Sequence, residues 1–157
     1  MTFQIEVQND QEFPAEPEAL VRAAVTVLTA HDVEPDSAMT IVLTDDAAVA
    51  ALNLQFRGVD APTDVLSFPM DENPVPGEAP YLGDLVIAYP YSAAQAERES
   101  FPMDQGLLLL VVHGTLHLLG YDHGTPEERA EMWDAQEAAL NALHVPLSIV
   151  PKLEDDH

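Results

Sequence analysis

The sequence contains no cysteine, and only five Lys plus Arg stand against 28 Asp plus Glu in 157 residues, a formal net charge of −23. The first absence excludes a disulfide scaffold. The second argues against a general polyanion binder, because Lys and Arg supply most non-specific affinity for phosphate backbones. No RRM, KH or other basic-aromatic signature compensates for it. Long hydrophobic runs are missing as well: the longest, Leu107 to Val112, falls far short of the ~20 residues that a membrane span needs. The opening stretch, MTFQIEVQND, has neither a basic region nor an apolar one, so no secretory signal is visible and a cytoplasmic location is expected.

What is present is 47% hydrophobic residues. A chain of this length buries roughly 70% of its unfolded surface, which suffices for a core without staples. No repeat and no domain-scale linker interrupts it, so residues 1–157 are expected to form one domain, with 146–157 a frayed acidic tail. The excess acids form a solvated face, and any protein partner is expected to be basic.

Periodicity places the elements. Phe3, Ile5 and Val7 alternate as in a strand, and Pro17 opens a helix on which Leu20, Ala23, Ala24, Val27 and Leu28 recur at helical spacing. The β-branched run from Met39 to Thr44 feeds a helix that begins at the Asp45–Asp46 pair and ends near Phe56. Gly58, Asp60 and Pro62 mark a loop before a strand over 64–68. Residues 70–81, with three prolines in seven positions from Pro74 to Pro80 plus Gly77, read as an exposed connection. A strand over 82–88 and a short helix over 91–100 follow. Residues 105–119 are apolar on nearly every side, the pattern of a buried central helix. Thr125, Pro126 and Glu128 supply the N-cap, first-turn proline and third residue of a capping box, opening a helix that runs to about Leu143.

The chemistry lies in HGTLHLLGYDH, residues 113–123. His113 and His117 are four apart, so both imidazoles reach one point on the same helix face. Gly120 permits the left-handed turn that ends a helix, and His123 can then return to that point from the following loop. Three neutral imidazoles leave Zn²⁺ an open fourth position, as catalytic zinc requires. An unpartnered imidazole in so apolar a helix costs a few kcal/mol, which favours metal ligation over three unrelated histidines. His31, His144 and His157 lack such context and are expected at caps or on the surface. The spacing coincides with the metzincin motif H-E-x-x-H-x-x-G-x-x-H, except that Gly114 stands where the general-base Glu belongs. Peptide hydrolysis by that route is therefore disfavoured.

This segment, together with Leu52-Asn53 through Arg57 into TDVLSFP at 63–69, LGDLVIA at 82–88, and Met132-Trp133 with Glu137 and Leu140, resembles the YbeY family of bacterial rRNA maturation factors. The resemblance spans most of residues 39–143. It implies an α+β fold: a small mixed four-stranded sheet packed by about five helices, with the metal-bearing helix central and a metzincin-like metal site. It further implies one zinc per chain on His113, His117 and His123, with Arg57 and His113 catalytic. The implied activity is single-strand-specific endoribonuclease cleavage in ribosomal RNA maturation, at the 3′ end of the small-subunit RNA, and in ribosome quality control. Single-stranded rRNA and basic proteins of the small subunit are the implied partners. A bound ion would polarise a phosphoryl oxygen and lower the pKa of water to near neutral, and Arg57 would stabilise the negative charge that develops on the phosphoryl oxygens. Read without the family, Arg57 is equally a phosphate clamp or half of an ion pair. Asp64, Asp84 and Asp122 are candidates to orient the ligand histidines, and Met132 is either a core residue or a floor beneath the metal. Two alternatives compete: a ribosome-assembly binding factor whose zinc is mainly structural, and a zinc hydrolase acting on a substrate other than RNA.

One consequence concerns charge alone. Raising the ionic strength from about 0.01 M to about 1 M shortens the screening length from ~30 Å to ~3 Å. Self-repulsion among 28 acids should then weaken and Tm rise in a thermal melt; an unchanged or falling Tm would show that the acids do not repel one another appreciably.

Overall fold

Alternating side chains sort the sheet into two faces, and the helices follow from that division. A computed structural model describes residues 3–70 and 80–149. Among them the chain runs β1 (Gln4–Gln8), α1 (Pro17–Ala30), β2 (Ala38–Thr44), α2 (Asp46–Arg57), β3 (Val65–Pro69), β4 (Tyr81–Ala88), α3 (Tyr89–Glu99), α4 (Met103–Leu118) and α5 (Pro126–Ala142). The strand order is β1-β2-β4-β3; β1, β2 and β4 are parallel, and β3 lies antiparallel on the edge beside β4. This is the mixed four-stranded sheet and five-helix α+β domain anticipated above. Most of the connection expected over 70–81 lies outside the described residues.

On one face, Met39, Ile41 and Leu43 of β2 and Leu85 and Ile87 of β4 join α1, α4 and α5 in the main core. On the other, Val86 and Ala88 of β4 and Leu66 of β3 meet Val49 of α2 in a smaller cluster. The two-residue period of a strand thus feeds both layers from a single element. Each fully buried Leu or Ile contributes about 1.5–3 kcal/mol of transfer free energy, and α4 buries Leu107, Leu109, Leu110, Val111, Val112 and Leu116 together. That all-round burial makes α4 the axis of the domain, packed against α1, α3, α5 and the sheet.

Local chemistry sets the boundaries. Asp45 caps α2 by accepting from the Ala48 N–H at 2.8 Å, and that bond, helped by Gln11, holds its carboxyl below the ordinary value. Gly58 ends the same helix in the left-handed conformation, with its own N–H bonded to Leu54 O and that of Val59 bonded to Asn53 O. Helix α3 starts at Tyr89, two residues ahead of its expected position, because Pro90 suits the first turn. The tail expected to fray from Pro146 begins instead with a 3₁₀ turn, Leu147–Ile149, because Ile149 is buried in the main core near α5; residues 150–157 lie outside the described residues, so the acidic tail and His157 do too.

Thr125 caps α5 as its sequence predicts, with its hydroxyl oxygen accepting from the Glu128 N–H at 3.1 Å. Thr125→Ala should lower stability by about 1 kcal/mol and Thr125→Ser by much less, read from urea midpoints. Equal loss in both variants would show that the Thr methyl, not the cap, is what matters.

Candidate metal centre and its cleft

Helix α4 places His113 and His117 one turn apart near its C-terminus, among core residues such as Leu116 and Leu118. Beyond it, Gly120 takes φ +101, the positive value a side chain disfavours, and the chain doubles back so that His123 faces the pair. Asp122 accepts from the His123 N–H at 2.8 Å and steadies that return. The three imidazoles each offer a nitrogen within 4.8 Å of the other two.

Proton placement supports ligation of a cation. The Tyr121 carbonyl can only accept, so the Nδ1 of His117, 2.9 Å away, carries the proton and its Nε2 presents a lone pair. The Nδ1 of His113, in a residue only 4% exposed, donates likewise to Gln136 Oε1 at 3.0 Å, with the amide oriented by this network. The two Nε2 atoms then stand 3.2 Å apart with lone pairs facing each other. Such an arrangement repels unless a cation lies against both, and neutral imidazole nitrogens with their other N–H fixed are the donors a divalent transition metal takes. The residues present therefore fit a metal ion.

Of the three candidate aspartates, Asp122 holds the His123 backbone, while Asp64 and Asp84 bond other groups as well. Asp64 is fully buried and accepts from the Val65 N–H at 2.8 Å and from Thr63, capping the entry to β3. Asp84 accepts from the Tyr81 hydroxyl, whose pKa is pushed up by burial and by that bond. Gln136 and the Tyr121 carbonyl orient the rings. Trp133 adds an aromatic wall, its ring 5.9 Å from that of His113 and 5.6 Å from that of His123. Gln136 was missed because nothing local distinguishes it from other polar residues of α5. The one available signal was a helical spacing, Met132, Gln136 and Leu140, that runs a glutamine through a buried face. Met132 itself is fully buried in the main core. His31 caps α1, its Nδ1 against Val27 O and its Nε2 on the Tyr121 hydroxyl at 3.1 Å. His144 follows α5 with φ +61.

The histidines open on a cleft of about 560 Å³ whose wall is the edge strand β3 and whose rim carries Phe56 and Arg57 from the end of α2. Arg57 is exposed there, and among the described residues no carboxylate pairs with it. Asn53, buried one turn earlier, donates to Ala61 O at 2.8 Å and fixes the loop that follows Arg57. Among these residues Arg57 therefore has no ion pair, and it lines the cleft.

The chain's sequence and fold have known relatives. The family model for Endoribonuclease YbeY matches residues 4–144. Endoribonuclease YbeY of Rhodococcus opacus is 41% identical over 145 residues, covering 87% of this chain and 80% of its own length. That of Mycobacterium ulcerans is 41% identical over 144 residues, covering 87% and 80%. A protein of Thermotoga maritima, solved in solution, superposes with a TM-score of 0.60 at 26% identity over 90% of this chain and 89% of its own.

Gly114 explains its own identity. A Cβ there would lie 2.7 Å from Leu85 Cδ2 and 3.3 Å from Ser67 Oγ, so the sheet occupies the space where a side chain would go. One added methyl costs about 1–3 kcal/mol of overpacking, set against ~1 kcal/mol of helical preference for Ala over Gly. Gly114→Ala should therefore lose up to about 2 kcal/mol in urea unfolding, whereas Gly114→Glu, burying a carboxylate against Leu85, should yield no folded protein. A folded Gly114→Glu variant of wild-type stability would refute this account.

Proposed function

The chain belongs to the YbeY family of endoribonucleases, and from that membership we propose that it is a zinc-dependent, single-strand-specific endoribonuclease maturing the 3′ end of small-subunit ribosomal RNA. The observation that carries this reading is the convergence of His113, His117 and His123 on one point inside a cleft that also holds Arg57. On it, the three histidines are the zinc ligands, one ion per chain, and Arg57 and His113 are the catalytic residues. Bound zinc supplies Lewis-acid polarisation of a phosphoryl oxygen and a lowered pKa for water.

The protein's own groups do the rest. Gln136 and the Tyr121 carbonyl hold the protons of His113 and His117 on the outward nitrogens, keeping the inward ones unprotonated. Arg57 offers a planar, permanently charged fork to two non-bridging phosphate oxygens, and its hydrogen bonds strengthen as negative charge grows on them. Trp133 and the β3 wall limit solvent on one side. A site open on a cleft favours this role over a mainly structural zinc, which is ordinarily closed by four protein ligands.

Charge supports the choice of partners. With −23 overall and four Arg in the chain, the protein cannot gather RNA by long-range attraction. Single-stranded rRNA is delivered instead by docking of the acidic surface on basic proteins of the small subunit, in the cytoplasm, where the enzyme also serves ribosome quality control. Among the described residues no helix is long and apolar enough to cross a membrane.

The test is cleavage of an end-labelled single-stranded RNA by zinc-loaded protein, beside Arg57→Ala, metal-free protein and His117→Ala. Arg57→Ala should retain its fold and zinc yet cleave about 100-fold more slowly, in the range of losing one oxyanion donor, and both metal-free samples should be inert. The product end groups then report whether water or the ribose 2′-OH attacks. Equal cleavage in all four samples would overturn the assignment.

A further inference from the structure

The cleft carries a second feature that the chemistry above leaves unused. Phe56 is 59% exposed, the greatest exposure of any large hydrophobic residue among those described, in a chain only 6% aromatic. It is the immediate neighbour of Arg57, and both line the cleft with the three histidines. Its ring is held by Phe68 of β3, centroids 5.1 Å apart at 65°. An edge-to-face pair of this kind leaves at least one ring face uncovered by the contact. Phe68 and Pro69 line the same wall.

We infer that Phe56, braced by Phe68, is a stacking platform for an unpaired RNA base next to the phosphate held by Arg57. The inference rests on the ribonuclease reading and adds to it the element that selects single strands. Charge makes the case. A protein at −23 repels a phosphate backbone, and Arg57 is the cation that the described cleft lining contributes. Affinity must come from a contact that does not depend on net charge, and base–aromatic stacking is such a contact, tolerant of sequence because every base has a π face. In a duplex those faces are covered by neighbouring pairs, so a platform at the cleft rim discriminates against paired RNA without reading any base edge. Placement matters as well: Phe56 and Arg57 are consecutive at a helix end fixed by Gly58 and by Asn53, so base and phosphate are registered against each other by one rigid turn.

The experiment uses a single-stranded oligoribonucleotide carrying one 2-aminopurine, whose fluorescence is quenched by stacking, titrated with the full zinc-loaded chain. Wild type should quench it, Phe56→Leu should bind it roughly tenfold more weakly with the quench lost, and Phe56→Trp should restore both. Phe56 is exposed, so Phe56→Leu keeps the fold, checked by its melt. The same probe annealed to its complement should not be quenched. Unchanged affinity and quench in Phe56→Leu would overturn the platform, as would a wild type that never quenches the probe. Cleavage is scored in parallel: quenching through Phe56 without any cleavage sinks the nuclease reading and keeps the platform, whereas metal-dependent cleavage with affinity and quench unchanged in Phe56→Leu does the reverse.

Discussion

Helix α4 is buried on every side, yet it carries two imidazoles, and the structure around it is arranged to make that tolerable. A buried imidazole must have both nitrogens engaged or it costs a few kcal/mol. The Gln136 amide and the Tyr121 carbonyl each engage one nitrogen, at 3.0 and 2.9 Å, and so turn the other nitrogen of each ring inward. What remains is a pair of Nε2 atoms 3.2 Å apart, with His123 close by, a donor set that fits a cation. Helix α5, the return loop after Gly120 and the C-terminus of α1 are all held in place by contacts that lead to these two rings.

The same helix explains why the metzincin spacing occurs without the metzincin base. Beside the histidines α4 presses directly on β3 and β4, and Ser67 donates to the Gly114 carbonyl at 3.4 Å. A glutamate at 114 would have to displace the fully buried Leu85. Metal geometry and proton acceptor are therefore separable: the three-histidine arrangement depends on one helix and one turn, whereas the acid depends on what packs behind the helix. In this endoribonuclease family member the sheet takes that place, and the cleft's arginine comes from the end of α2.

Net charge and local chemistry are likewise separable. The chain carries 28 acids, yet the cleft's described lining includes one arginine, one aspartate and three histidines. Long-range attraction for a polyanion is absent, so binding must be built from short-range contacts. Arg57, the aromatic pair Phe56–Phe68 and the histidine cluster meet at the edge strand because α2 crosses the sheet face opposite α4 and ends at that edge.

Much was legible in the chain alone, and the reason is that it is local. The caps at Asp45 and Thr125, the left-handed turn at Gly120 and the all-apolar α4 are decided within a few residues. So is the meeting of His113 and His117, by helical pitch. Those features determined the number of elements, the metal-competent trio and, through its motifs, the family. The tertiary structure alone decided that Gln136, 23 positions from His113, orients the ring, because polar residues on α5 become distinguishable only once one face of it is buried. It also decided that Trp133 walls the site, that Arg57 stands at the cleft without a carboxylate partner among the described residues, and that Phe56 leans on Phe68. Each of these depends on how separate elements pack across a shared core, and neither period nor spacing within one segment carries that information.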